Sequence, residues 1–118
     1  MIAQKYRFHG HGSLKYLFSK GKTLRAPYFG LKHTSNKRRQ EWRLAVIVGK
    51  KIDKRAVVRN RIRRRMFELM RKNLPQDFPP VDMALVVYDA AIADADAKYL
   101  ESMIEPVVAK LKQTYQNK

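Results

Sequence analysis

The sequence predicts an α+β sandwich in which helices pack against a single small sheet. Three observations predict it: a helix-spaced basic segment at the centre of the chain, β-rich runs on both sides of it, and a second helix-spaced segment near the end. At 118 residues and 45% hydrophobic content, the chain is the size of one domain with a modest core. One unit over residues 1–118 is therefore expected, with 1–12 and 113–118 as flexible ends.

Each element has its own local cause. Leu14, Leu17 and Phe18 stand at i, i+3 and i+4, so they share one face of a short helix, with Ser13 as a candidate N-cap and Gly21 as its stop. Thr23 to His33 reads as extended chain around Pro27, with Tyr28, Phe29 and Leu31 favouring strand and His33 on the strand surface. Residues 35–39 are polar and turn-like, and Trp42 to Val48 is β-rich and too short for a typical helix. These two runs suggest adjacent antiparallel strands. Arg55 to Asn73 carries Val58, Ile62, Met66 and Leu69 as a narrow helical stripe, and Pro75 ends it. Pro79 and Pro80 force an extended lead into Met83 to Tyr88, a buried-strand pattern. Asp94 or Asp96 can cap a last helix bearing Leu100, Ile104, Val108 and Leu111, which Pro106 interrupts.

Charge narrows the function. Lys and Arg number 26 against 10 Asp and Glu, a net +16 far beyond what solubility asks of a small domain. Residues 1–74 hold 22 basic and 3 acidic side chains, residues 75–118 only 4 basic and 7 acidic. A polyanion is the natural partner, met by the first two thirds. On the central helix Arg61, Arg64, Arg65, Arg71 and Lys72 project within an arc of roughly 120° opposite the apolar stripe, with Arg59, Asn60 and Arg63 on its flank. Like charges at this spacing destabilise a helix unless phosphates neutralise them, and arginine's planar fork suits phosphate. Lys50, Lys51, Lys54 and Arg55 extend the same field along the connection into the helix. Asn60 reads equally as a base- or sugar-contacting group and as a solvated one.

Several classes are disfavoured. No run of apolar residues is long enough to span a membrane, the start lacks a signal-peptide pattern, and cysteine is absent, so a soluble cytoplasmic protein without disulfides is expected. A self-contained ribonuclease needs an acid–base pair or clustered carboxylates. Glu41, Asp53 and Glu68 fall in three different elements, and Asp89, Asp94 and Asp96 read as loop and cap residues. His9 and His11 alone make a poor metal site. A ribosomal RNA-binding protein shares this size and charge. A DNA-binding helix-turn-helix would need a short partner helix before the basic one, and the strand-like run there argues against it.

The segment Gly49 to Arg65, GKKIDKRAVVRNRIRRR, closely resembles the characteristic motif of the bacterial ribonuclease P protein family, an Arg-Asn-Arg helix entered from a Lys-Lys strand end. The resemblance runs from about Ser13 to Leu111. It implies an αβββαβα order, a mixed four-stranded sheet and a left-handed βαβ crossover. It further implies the protein subunit of an endoribonuclease whose RNA is the catalyst, with Mg2+ held mainly by that RNA and neither a catalytic residue nor a bound metal expected in the protein. The implied partners are the catalytic RNA and precursor tRNA, whose 5′ leader is removed; neither a membrane nor a small-molecule substrate is implied. By position, Lys50, Lys51, Lys54, Arg55, Arg59, Asn60, Arg61, Arg63, Arg64 and Arg65 match RNA-binding residues, and Leu14, Phe18, Phe29 and Lys32 match a leader cleft between first helix and sheet. From the residues alone, Phe18 and Phe29 read either as core or as a base-stacking platform. Family members often carry serine at Gly49, an aromatic at Lys32 and a basic residue at Phe67.

Overall fold

The computed structural model describes residues 11–75 and 77–115. The elements are α1 (His11–Lys20), β1 (Lys22–Arg25), β2 (Phe29–Ser35), β3 (Arg43–Ile47), α2 (Ala56–Asn73), β4 (Val81–Val87), a 3-10 turn (Ala90–Ala93) and α3 (Ala97–Tyr115). This is the α+β order anticipated, with three helices on a mixed four-stranded sheet. The sheet order is β1-β2-β4-β3. β1 and β4 each pair antiparallel with β2, and β3 pairs parallel with β4 through the α2 connection.

Two expectations about the sheet are corrected here. The stretch Thr23 to His33 is two strands rather than one, folded at residues 26–28, where the Ala26 N–H donates to the Phe29 carbonyl at 2.9 Å. β2 and β3 are not neighbours, because β4 lies between them and contributes seven residue pairs to β2 and five to β3. A buried apolar strand such as Val81–Val87, exposed on neither face, gains most from a central position.

Alternation along the strands separates two faces. Phe29, Leu31, Leu44, Val81, Met83, Leu85 and Val87 enter the main core beneath α2 and α3, while Ala45, Ile47 and Ala84 face α1 and pack with Leu14 and Leu17. The core face of α2 is Ile62, Met66, Phe67 and Met70, and Val58 and Leu69 of the anticipated stripe are only half-buried at its margin. The stripe is turned toward Phe67, which packs on Trp42 with ring centroids 6.3 Å apart. α1 begins at His11, so Ser13 lies inside the helix rather than at its cap. α3 runs unbroken through Pro106 and continues to Tyr115, so residues 113–115 of the expected flexible end lie in its last turn, as 11–12 lie in the first turn of α1. For 1–10 and 116–118 that expectation, like His9, lies outside the described residues. Asp96 precedes the first residue of α3 and its carbonyl accepts from the Leu100 N–H at 3.0 Å, whereas Asp94 closes the 3-10 turn.

His33 is not a surface residue. It is buried on the core face of β2, and its Nδ1 shares a 2.7 Å hydrogen bond with the Tyr115 hydroxyl, tying the last turn of α3 to the sheet. Burial, with Lys22 adding repulsion, pushes the imidazole below its usual value near 6.5. The folded state therefore disfavours the charged ring. This contribution to stability is present above about pH 6.5, where both states are neutral, and is lost as pH falls through the depressed folded value. Thermal melts from pH 7.5 to 5 are expected to fall more steeply for the native chain than for His33→Gln; parallel slopes would place the proton uptake elsewhere.

Candidate nucleic-acid interface

The basic segment is built on a braced turn. The Asp53 carboxylate accepts the Arg55 backbone N–H at 2.8 Å and both guanidinium arms of Arg55 at 3.1 and 3.0 Å, and these bonds hold its carboxyl below the ordinary range. Arg59 reaches back to the carbonyls of Asp53 and Lys54 at 3.0 and 2.9 Å. The turn leading into α2 is thus tied to its first turn, while Lys50, Lys51 and Lys54 remain exposed. Gly49 has open space around its Cα, so a serine would fit there without strain.

The anticipated RNA-binding residues divide into distinct roles. Arg61 and Arg64 are exposed, and Arg61 makes a long 3.5 Å ion pair with the exposed Asp94. Asn60 is exposed and its Oδ1 accepts from Arg63 at 2.7 Å, which fixes the amide orientation. Arg63 is half-buried, since it lies on the wheel between Met70 and Phe67. Arg65 departs from the expectation. Its guanidinium donates to the carbonyls of Ile92 at 2.8 Å, Ala93 at 2.9 Å and Ala95 at 2.6 Å, so it clamps the 3-10 turn to α2. Nothing in the helical period announced this, because the acceptors are backbone atoms some 30 residues away.

The anticipated cleft is likewise partly redrawn. Phe18 is 41% exposed at the side of α1, and Leu14 is half-buried against the Leu17–Ala84 cluster. Lys32 pairs in register with Ala84, the residue beneath Leu17, so it stands on the α1 face. Phe29 does not. It pairs with Val87, is fully buried and belongs to the core on the opposite face, because strand residues three apart point to opposite sides. At the open end of the α1 face Tyr88 lies over Gly30, a surface residue the pattern had not singled out.

Among the described residues no three His, Asp or Glu side chains gather where they could hold a metal ion, and no helix is long and apolar enough to cross a membrane.

Comparison with known proteins agrees with this architecture. The Ribonuclease P family profile matches residues 2–112. The chain is similar to the ribonuclease P protein component of Synechococcus sp. (strain RCC307), 29% identical over 112 residues covering 86% of this chain and 88% of that one. In structure it resembles the RNase P protein of Staphylococcus aureus, with TM-score 0.77 at 22% identity over 91% of this chain and 95% of that one. It also resembles the protein from Thermotoga maritima, with TM-score 0.71 at 20% identity over 86% and 93%. With a profile match over nearly its whole length, the chain belongs to the ribonuclease P protein family, the protein components of a tRNA-processing ribonucleoprotein nuclease.

Proposed function

We propose that this chain binds the catalytic RNA of ribonuclease P and the 5′ leader of precursor tRNA, and so assists removal of the leader in the cytoplasm. The observation that carries the reading is a basic surface, Lys50, Lys51, Lys54, Arg61 and Arg64, left exposed to solvent on a turn and helix that are themselves rigidly braced. A braced backbone has little entropy left to lose when the cations it carries meet phosphate, and each neutralised phosphate releases counterions. In this reading the Mg2+ of the reaction is held mainly by the RNA. The protein lowers repulsion between RNA strands by its positive field. Incubating precursor tRNA with protein, RNA and both over a magnesium series tests this. The protein alone is expected to cleave nothing and the pair to need less magnesium than the RNA alone; cleavage by the nuclease-free protein would overturn it.

The leader reading rests on Phe18, an exposed aromatic on the same side of α1 as Leu14, above a face that carries Lys32. Aromatic rings beside cations hold single strands with little sequence preference, at about 1 to 3 kcal/mol per stacked base. Phe18→Ala is expected to weaken holoenzyme binding of precursor tRNA about tenfold, leaving mature tRNA affinity and the melting temperature nearly unchanged. Equal losses for both ligands with an early melt would return Phe18 to the core.

A further inference from the structure

α1 has two flanks, and the leader reading uses one. Leu17 points at the sheet and is fully buried, so at about 100° per residue Tyr16 and Phe18 project to opposite sides of the helix. Leu14 falls on the Phe18 side, whereas Lys20, four residues beyond Tyr16, falls on the Tyr16 side. There a groove of about 580 Å³ separates Tyr16 from Thr34 and the turn at 35–38, with Asp82 at its floor.

The floor is electrically quiet. The buried Asp82 carboxylate accepts Arg43 Nε at 2.9 Å, Arg43 Nη2 at 2.8 Å and Asn36 Nδ2 at 2.9 Å, which cancels its charge. The rim is cationic: Lys37 and Arg38 line it, Lys20 is exposed on the Tyr16 side of α1, and none of the three makes an ion pair among the described residues. The turn is also pre-formed, since Asn36 Oδ1 accepts the Arg38 N–H at 3.2 Å and the Asn36 N–H donates to the Pro80 carbonyl at 2.9 Å. Tyr16, 58% exposed, stands over this rim with its ring uncovered.

We propose that this groove binds an unpaired stretch of RNA, one base stacking on Tyr16 and the flanking phosphates meeting Lys37, Arg38 and Lys20. A duplex would engage the cations but leave the ring idle, because its bases are already stacked. The inference rests on the RNA-binding reading above but concerns a separate place. The groove lies at the end of the sheet where Arg43 pairs with Asp82, and the Lys50 to Arg64 surface departs from the other end, where Ile47 pairs with Val86. The four residue steps along β3 between those two pairs put the ends roughly 13 Å apart.

The test is an amide-shift titration of the isotope-labelled full chain with a uridine hexanucleotide. Shifts are expected at Thr34, Ser35, Lys37 and Arg38, and the Kd read from those amides is expected to rise about tenfold in Tyr16→Ala and in the Lys37→Ala/Arg38→Ala pair, while the Kd read at residues 50–64 stays the same. Shifts at 50–64 without any at 34–38 would sink this inference alone; no shifts anywhere would remove the RNA-binding reading with it. Equal shifts from a hexaglutamate peptide would also overturn the assignment. Two holoenzyme arms then identify the source: Tyr16→Ala weakening the catalytic RNA complex assigns the groove to that RNA, and weakening only long-leader precursor assigns it to the leader. Loss in neither arm rejects the proposal.

Discussion

Arg65→Ala is expected to lower the melting temperature by roughly 10 °C and to leave the salt dependence of RNA binding unchanged. The carbonyls of Ile92, Ala93 and Ala95 converge on one guanidinium at 2.6 to 2.9 Å. Hydrogen bonds from a charged donor contribute about 1.5 to 3 kcal/mol, and carbonyls stripped of their donor retain a desolvation cost, so a loss of about 2 to 4 kcal/mol is expected. Arg64→Ala supplies the contrast. Its side chain is exposed, so stability should barely change while the slope of log K against log salt falls by about one phosphate contact's worth. Thermal melts beside binding at four salt concentrations check both variants. A reduced slope for Arg65→Ala with an unchanged melt would reverse the assignment.

Gly21→Ala should be nearly as damaging, for steric reasons. A Cβ at Gly21 would lie 2.5 Å from the Leu17 carbonyl oxygen, 2.8 Å from Leu17 Cδ1 and 3.1 Å from the His33 carbonyl oxygen. Two of those neighbours are backbone and cannot swing aside, so α1 must lift from the sheet at a cost of about 1 to 3 kcal/mol. Because Phe18 moves with the helix, discrimination between precursor and mature tRNA should fall along with stability. Gly30→Ala is the control. There the contact is the Tyr88 hydroxyl at 2.5 Å, the tip of an exposed side chain that can rotate away, so the melt should hardly shift.

The helices were legible in the sequence because their period is local. Leu100, Ile104, Val108 and Leu111 are all buried where the spacing put them. Strand neighbours were not legible, since nothing near Trp42 to Val48 records that Val81–Val87 inserts beside it. Phe29 was placed in the cleft by resemblance alone; the residues left core open for it, and the structure puts it in the core on the face opposite Lys32. The clamp made by Arg65 was not legible because its three acceptors are backbone atoms, which leave no mark on composition or pattern. Asn60, Arg61 and Arg64 lie at the surface as the wheel places them, and Lys50, Lys51 and Lys54 are exposed in the turn that precedes the helix.

The central place of β4 also dictates the order in which the chain can acquire its structure during synthesis. Before residues 81–87 leave the ribosome, the β1–β2 hairpin has its turn but no sheet to join, and β3 has no hydrogen-bonding neighbour at all. The β2–β4 pairs join residues more than 40 positions apart, so closing that loop, rather than forming any helix, sets the pace of folding. The nascent chain therefore presents nearly all of its positive charge before it has a core, and it is the acidic last third whose arrival completes the fold.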